Sequence, residues 1–318
     1  MAKVGLVLGG GGITGASYQL GTLLAIEMAT GWDPASAAVV VGTSCGAFCA
    51  AMLRGGQLSV DTFIDGGHSR DDANRRLKSR VYRRSVRPSG VVRWLRRGVL
   101  PGLTRPDLRL VVGSPAVYCT EGIADWVEER IGPIATTWPA EPTVIVGYDL
   151  ESRERVAFGT DAAPRVTLRD AVAASTAVPM VFEPVKIDGR WYADGGFASG
   201  TSADLILGAP EQLDLIIVIA PMAATESRPG ARFYEGAFDR AGRLALSQEV
   251  DRIRNEWPGT DIVVFRPDDR VLAVTRPNPL STRAAVPAFL RTLRSLRDEL
   301  RRPEVWSVLE RHLVGSKV

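Results

Sequence analysis

A chain of 318 residues, 45% hydrophobic and 24% charged, can bury a full core and has a globular composition, which excludes a disordered or fibrous protein. Net charge is only +3, and the positive side is nearly all arginine, with lysine only at Lys3, Lys78, Lys186 and Lys317. Cys45, Cys49 and Cys119 make no disulfide framework and fit a reducing compartment, and no apolar run of roughly eighteen residues is present to span a bilayer.

Lys3 to Leu8 reads as a strand, with Gly9 to Gly12 directly after it. This first apolar run breaks too early for a secretory leader, so the expectation is a cytoplasmic protein, with surface contact to a membrane left open. Ala16 to Met28 carries Leu20, Leu23, Leu24 and Ile26 at helical spacing. Ala38 to Val41 is the second strand, and Gly46 to Leu53 a small-residue helix behind Ser44. Thr143 to Tyr148 is the next strand, and Val166 to Leu168 reads as another short one. Asp170 is the expected N-cap of a helix over 171–175. Val185 to Tyr192 straddles Asp188-Gly189, a strong hairpin signal. Asp214 to Ala220 and Ile262 to Phe265 are further strands, and Ala285 to Leu313 is arginine-rich helical sequence broken at Pro303. Aliphatic strands separated by helices predict an α/β fold, with a mostly parallel sheet covered on both faces. Residues 1–318 read as one domain without internal repeats.

Residues 54–115 read as a helical cap inserted into that domain. Between Arg70 and Arg109 thirteen basic residues face only Asp71, Asp72 and Asp107. One reading is a solvated basic face. The other is contact with an anionic membrane through residues 70–109, with Arg93, Arg96 and Arg97 around Trp94 and Leu95 as anchors. No helix-turn-helix, zinc finger or aromatic sheet motif accompanies the charge, so no nucleic-acid partner is expected.

The glycine loop Gly10-Gly11-Gly12-Ile13-Thr14-Gly15 formally fits a dinucleotide-binding pattern. That reading lacks the acidic residue expected at the end of the second strand. A Walker loop would need Gly-Lys-Ser/Thr, which is absent. Two readings remain, a purely structural glycine turn and an oxyanion hole, in which consecutive glycines let bare N–H groups converge on one point at a helix N-terminus. Gly42-Thr43-Ser44-Cys45-Gly46 supplies what such a hole serves. Its glycines permit the sharp strand-to-helix turn that presents a serine hydroxyl, with the Cys45 N–H as a second donor.

Histidine occurs only as His68 and His312. Ser44, Asp194 and His312 satisfy the hydrolase triad order formally, but His312 sits in an amphipathic helix near the last residues and reads as a surface histidine. Asp194-Gly195-Gly196, after the hairpin, offers a carboxylate able to turn into a cleft and take the serine proton directly.

These elements, together with the stretch Ala173 to Val185, resemble the patatin-like phospholipase family over roughly residues 3–220. The resemblance implies a three-layer α/β/α fold and hydrolysis of fatty-acyl esters of lipids by a Ser–Asp dyad without histidine. In that reading Ser44 is the nucleophile, Asp194 the base, and Gly11, Gly12 and Cys45 form the oxyanion hole. No metal and no cofactor are expected. Two departures from the family pattern stand out. Thr14 replaces the Arg or Lys usual in the glycine loop, and Phe197 to Thr201 replaces an asparagine-proline stretch. The alternatives are an inert or weakly active lipid-binding protein of the same fold and, behind it, a dinucleotide-binding oxidoreductase.

Overall fold

The computed structural model describes residues 2–314 apart from positions 65, 86–115, 227, 229 and 232. In chain order, β1 (Val4–Leu8) leads into α1 (Gly12–Thr30), and β2 (Val39–Thr43) into α2 (Cys45–Arg54). Helices α3 (Val60–Ile64) and α4 (Arg70–Val81) follow, then a small ribbon of β3 (Arg83–Arg84) and β4 (Tyr118–Cys119), then α5 (Glu121–Ile131) and α6 (Pro133–Thr136). Next come β5 (Thr143–Asp149), β6 (Arg155–Phe158), α7 (Leu168–Ser175), and the hairpin of β7 (Val185–Ile187) and β8 (Arg190–Asp194). The last elements are β9 (Leu215–Ile219), α8 (Phe233–Glu256), β10 (Asp261–Phe265), α9 (Asp269–Thr275), α10 (Ala285–Glu299) and α11 (Pro303–Leu313).

Every residue of β1, β2, β5 and β9 is buried, the signature of strands covered on both faces. They lie in an eight-stranded sheet of order β10-β9-β1-β2-β5-β8-β7, with β6 also on β5. The run from β10 to β5 is parallel, and β6, β7 and β8 pair antiparallel. The period of two sorts the side chains. Leu6, Leu8 and Val40 face one core with Leu20, Phe48 and Leu296. Val7, Val39 and Val41 face a second core with Leu246, Val250 and Ile253 of α8. The result is the expected three-layer α/β/α arrangement.

The hairpin turns at Asp188 and Gly189, both with positive φ (46° and 84°), as a two-residue primed turn requires. Two local expectations need correction. Val166 to Leu168 is not a strand, because Leu168 opens α7. The cap is Thr167, not Asp170: the Thr167 hydroxyl accepts the Asp170 N–H at 3.2 Å and donates to the Asp170 carboxylate at 2.7 Å. That reciprocal pair satisfies the helix start better than Asp170 alone.

Within the expected cap, Leu77 and Val81 of α4 are buried. Its described basic residues are partly neutralised: Arg75 and Arg76 pair with Asp72, Arg80 with Glu129, and Arg83 with Asp125. Arg93, Trp94, Leu95, Arg96 and Arg97 lie outside the described residues.

Candidate active site

Ser44 sits between β2 and α2 with φ 57° and ψ −122°, a left-handed backbone that costs an L-residue strain and recurs at functional turns. Its neighbours explain the glycines. A Cβ on Gly46 would lie 1.9 Å from the Leu8 carbonyl oxygen, and one on Gly42 2.5 Å from that of Gly46. The turn is pinned from below. The Ser44 N–H donates to Ser175 Oγ at 2.9 Å, and Ser175 in turn donates to the Val146 carbonyl of β5 at 2.6 Å.

Asp194 ends β8, opposite Gly147 in the sheet register, and its N–H donates to the Ala177 carbonyl at 3.0 Å. The Ser44 hydroxyl donates to Asp194 Oδ2 at 2.6 Å, and the Gly196 N–H donates to Oδ1 at 2.7 Å. The two residues are 6% and 4% exposed, dry enough to exclude bulk water from the pair. Burial pushes the Asp194 carboxyl up to about 7, against the opposing pull of its bonds from Ser44 and Gly196. A carboxylate poised near neutrality is suited to accepting and returning a proton.

The histidines are elsewhere. His68 is exposed, and His312 Nε2 lies 2.7 Å from Asp261 at the β10 edge of the sheet. Cys45 is no rival nucleophile, because burial pushes its thiol well above its ordinary value and thiolate character is what makes cysteine reactive.

In the glycine loop, the Gly9 N–H donates to Ile219 at 2.9 Å and the Gly10 N–H to Gly200 at 2.7 Å. Those two amides are occupied. Gly11 caps α1 and Gly12, at φ 61°, is its first residue, so their N–H groups lie at the end of the helix that has no intrahelical partner. Cys45 holds the same position in α2. A Cβ on Gly10 would stand 3.3 Å from the Ser44 Cβ, which measures how closely the loop approaches the serine.

Beside Ser44 opens a narrow pocket, apolar except at Ser44, Cys45 and Thr176, with walls that include Phe48, Val81, Ile123, Trp126 and Phe182. Among the described residues no cluster of His, Cys, Asp and Glu could hold a metal ion.

A model of patatin-like phospholipases matches residues 6–207, more than half of the chain, from within β1 to beyond β8. This chain belongs to the patatin-like phospholipase family. Membership implies a lipid-acting enzyme of the serine-hydrolase type. NTE family proteins of Mycobacterium bovis and of two Mycobacterium tuberculosis strains are each 28% identical to it over 213 residues, which cover 64% of this chain. The chain spans about half the length of these curated relatives, 48%. The crystal structure of VipD from Legionella pneumophila superimposes over 98% of this chain and 67% of its own, with TM-score 0.39 and 13% identity.

Both departures from the patatin-like pattern have a structural role. Thr14 is 1% exposed, and its N–H and hydroxyl both donate to the Pro279 carbonyl, at 3.0 and 3.3 Å. It ties the glycine loop to a later segment instead of supplying charge. Ser199 organises the loop that replaces the asparagine-proline stretch. It accepts the Thr201 and Ser202 N–H groups at 3.2 and 3.0 Å and donates to Glu249 of α8, whose other oxygen accepts the Ala203 N–H at 2.8 Å. From this loop the Gly200 carbonyl holds Gly10, and the Thr201 carbonyl accepts the Thr43 hydroxyl at 3.3 Å. Sequence reasoning singled out the stretch Phe197 to Thr201 but missed the parts of Ser175, Glu249 and Pro279. Ser175 lies inside the family-like stretch Ala173 to Val185, and that was its available signal.

Proposed function

We propose that the protein is a serine acyl hydrolase, of lipase, phospholipase A or lysophospholipase type, cleaving fatty-acyl esters of lipids through a Ser44–Asp194 dyad. The observation that carries this reading is the 2.6 Å hydrogen bond from the Ser44 hydroxyl to a buried carboxylate, at the wall of an apolar pocket. Ser44 Oγ attacks the ester carbonyl while its proton passes to Asp194 Oδ2. The N–H groups of Gly11, Gly12 and Cys45 receive the oxyanion, aided by the N-terminal dipoles of α1 and α2. As the tetrahedral intermediate collapses, Asp194 returns the proton to the departing alkoxide. Water then attacks the acyl-enzyme, giving a proton to Asp194, and the fatty acid leaves as that proton returns to Ser44.

The apolar walls suit an acyl chain, and their lack of charge disfavours a dinucleotide. The reading extends to residues 54–115 as a cap, and to a cytoplasmic protein that touches anionic membrane through residues 70–109. No helix among the described residues is long and apolar enough to cross a membrane, which is compatible with peripheral contact. Labelling with a fluorophosphonate and mapping the adduct by mass spectrometry tests the chemistry. The expected adduct is on Ser44. An unlabelled protein with no ester turnover would make the chain a lipid-binding member of the fold.

A further inference from the structure

Two hollows share a wall. Beside the apolar pocket at Ser44 lies a second hollow of mixed lining, with Arg70, Asp71 and Arg283 alongside apolar Ala285, Val286 and Pro287. Phe63 of α3 and Leu77 of α4 line both, and at 5% and 2% exposure they are themselves buried.

Helix α4 gives the pocket a direction. Val81 lines only the apolar pocket, Leu77 lines both hollows, and Ala73, Asn74 and Arg70 line only the second hollow. These positions are three or four apart and fall on one helix face, one turn after another. The Val81 end is the glycine-loop end. Adjacent Tyr82 donates to the Leu280 carbonyl at 2.5 Å, and a Cβ on Gly12 would stand 2.9 Å from the Leu280 side chain. At the other end Asn74 is fixed by the Thr282 hydroxyl, which donates to it at 2.6 Å.

We infer that Phe63 and Leu77 form the end wall of the acyl pocket and set the longest chain it takes, so that kcat/KM passes through a maximum as the acyl chain lengthens. Each methylene that enters the apolar pocket adds up to about fourfold to kcat/KM by burial. A tail that reaches Phe63 and Leu77 meets two buried side chains that stand between the pocket and the second hollow. Carbons beyond that point must displace the wall. The inference rests on the acyl-hydrolase reading of Ser44 and Asp194.

The test is kcat/KM for p-nitrophenyl butyrate, octanoate, dodecanoate and palmitate, with wild type and with two opposed variants. Wild type should rise from butyrate and fall at palmitate. Phe63→Ala should open the wall and raise the palmitate-to-octanoate ratio about tenfold or more, the burial of a few methylenes. Leu77→Trp should advance the wall and move the maximum toward butyrate. Fluorophosphonate labelling and near-ultraviolet circular dichroism identify the folded variants, and Leu77→Trp carries the test if Phe63→Ala does not fold. Unmoved maxima in a folded variant, or wild-type values still climbing at palmitate, overturn the end wall while leaving the dyad standing. Absence of Ser44-dependent turnover of every ester overturns the acyl-hydrolase reading, and the wall falls with it.

Discussion

Replacing Asp194 by Asn should cost the protein its activity and, above neutral pH, make it more stable. Burial lifts the Asp194 carboxyl from the ordinary 3.8 to about 7. The unfolded chain ionises at the lower value, so from about pH 4 to about pH 7 the unfolded state holds fewer protons at this position and stability falls as pH rises. At 1.36 kcal/mol per pH unit the loss accumulates to about 4 kcal/mol and then levels off. Asn does not titrate and escapes this loss. Its amide N–H groups replace an acceptor, and an unpaired one costs about 1–3 kcal/mol at every pH. The clean measure is therefore the change with pH of the difference between variant and wild type. Urea unfolding at pH 5 and pH 8, with linear extrapolation, should show the variant gaining on wild type by a few kcal/mol. In parallel, wild-type kcat/KM on a water-soluble ester should climb through about pH 7 to a plateau as Asp194 ionises, while the variant stays inactive. Parallel stability curves for the two proteins would refute a dry, neutralised carboxyl at Asp194 and remove the physical basis for its role as base.

Ser44→Ala should lower ester turnover by about 10⁴-fold or more while leaving the fold intact, measured by initial rates and circular dichroism. Glu249→Ala should release Ser199 and Ala203 and slow kcat about tenfold or more through the loosened glycine loop, with KM little changed. Glu249→Gln should recover part of the rate, because it keeps the hydrogen-bonding shape. His312→Ala should leave kcat/KM unchanged, because His312 pairs with Asp261 at the β10 edge of the sheet and not with Ser44. A loss of activity matching Ser44→Ala would bring back a histidine triad.

What could be read from the chain was what repeats at short range. The uninterrupted aliphatic runs of β1, β2, β5 and β9 announce a parallel sheet, because burial on both faces leaves no alternation to disguise them. Gly9 to Gly12, Ser44 and Asp194 stand out because each needs a residue type that its backbone permits and few others do. The rest depends on neighbours that the chain brings together late. β6 is four residues beside a longer strand. α8 carries only a narrow apolar stripe on a polar helix, too weak a periodicity to separate from loop. Glu249 is an ordinary helix-surface residue until Ser199, 50 positions away, meets it. Thr14 looked like a missing cation because the Pro279 carbonyl that receives it lies 265 residues further on.

The place of β9 beside β1 has a bearing on where this molecule can be cut. The family match stops at residue 207, ahead of β9, yet β9 pairs with all five residues of β1, and its Ile219 holds Gly9. A fragment trimmed to the matched stretch would leave β1 as a bare aliphatic edge, the kind of edge that recruits a second chain. It would also lose the Pro279 anchor of Thr14 and the Glu249 anchor of Ser199. Its Ser44 and Asp194 would survive in sequence while the loop facing them came loose. Extent of similarity and extent of a working unit are different lengths here. An expression fragment for this protein has to be drawn along the strand order, through α11, whose buried Leu309 and Leu313 belong to the same core as α1.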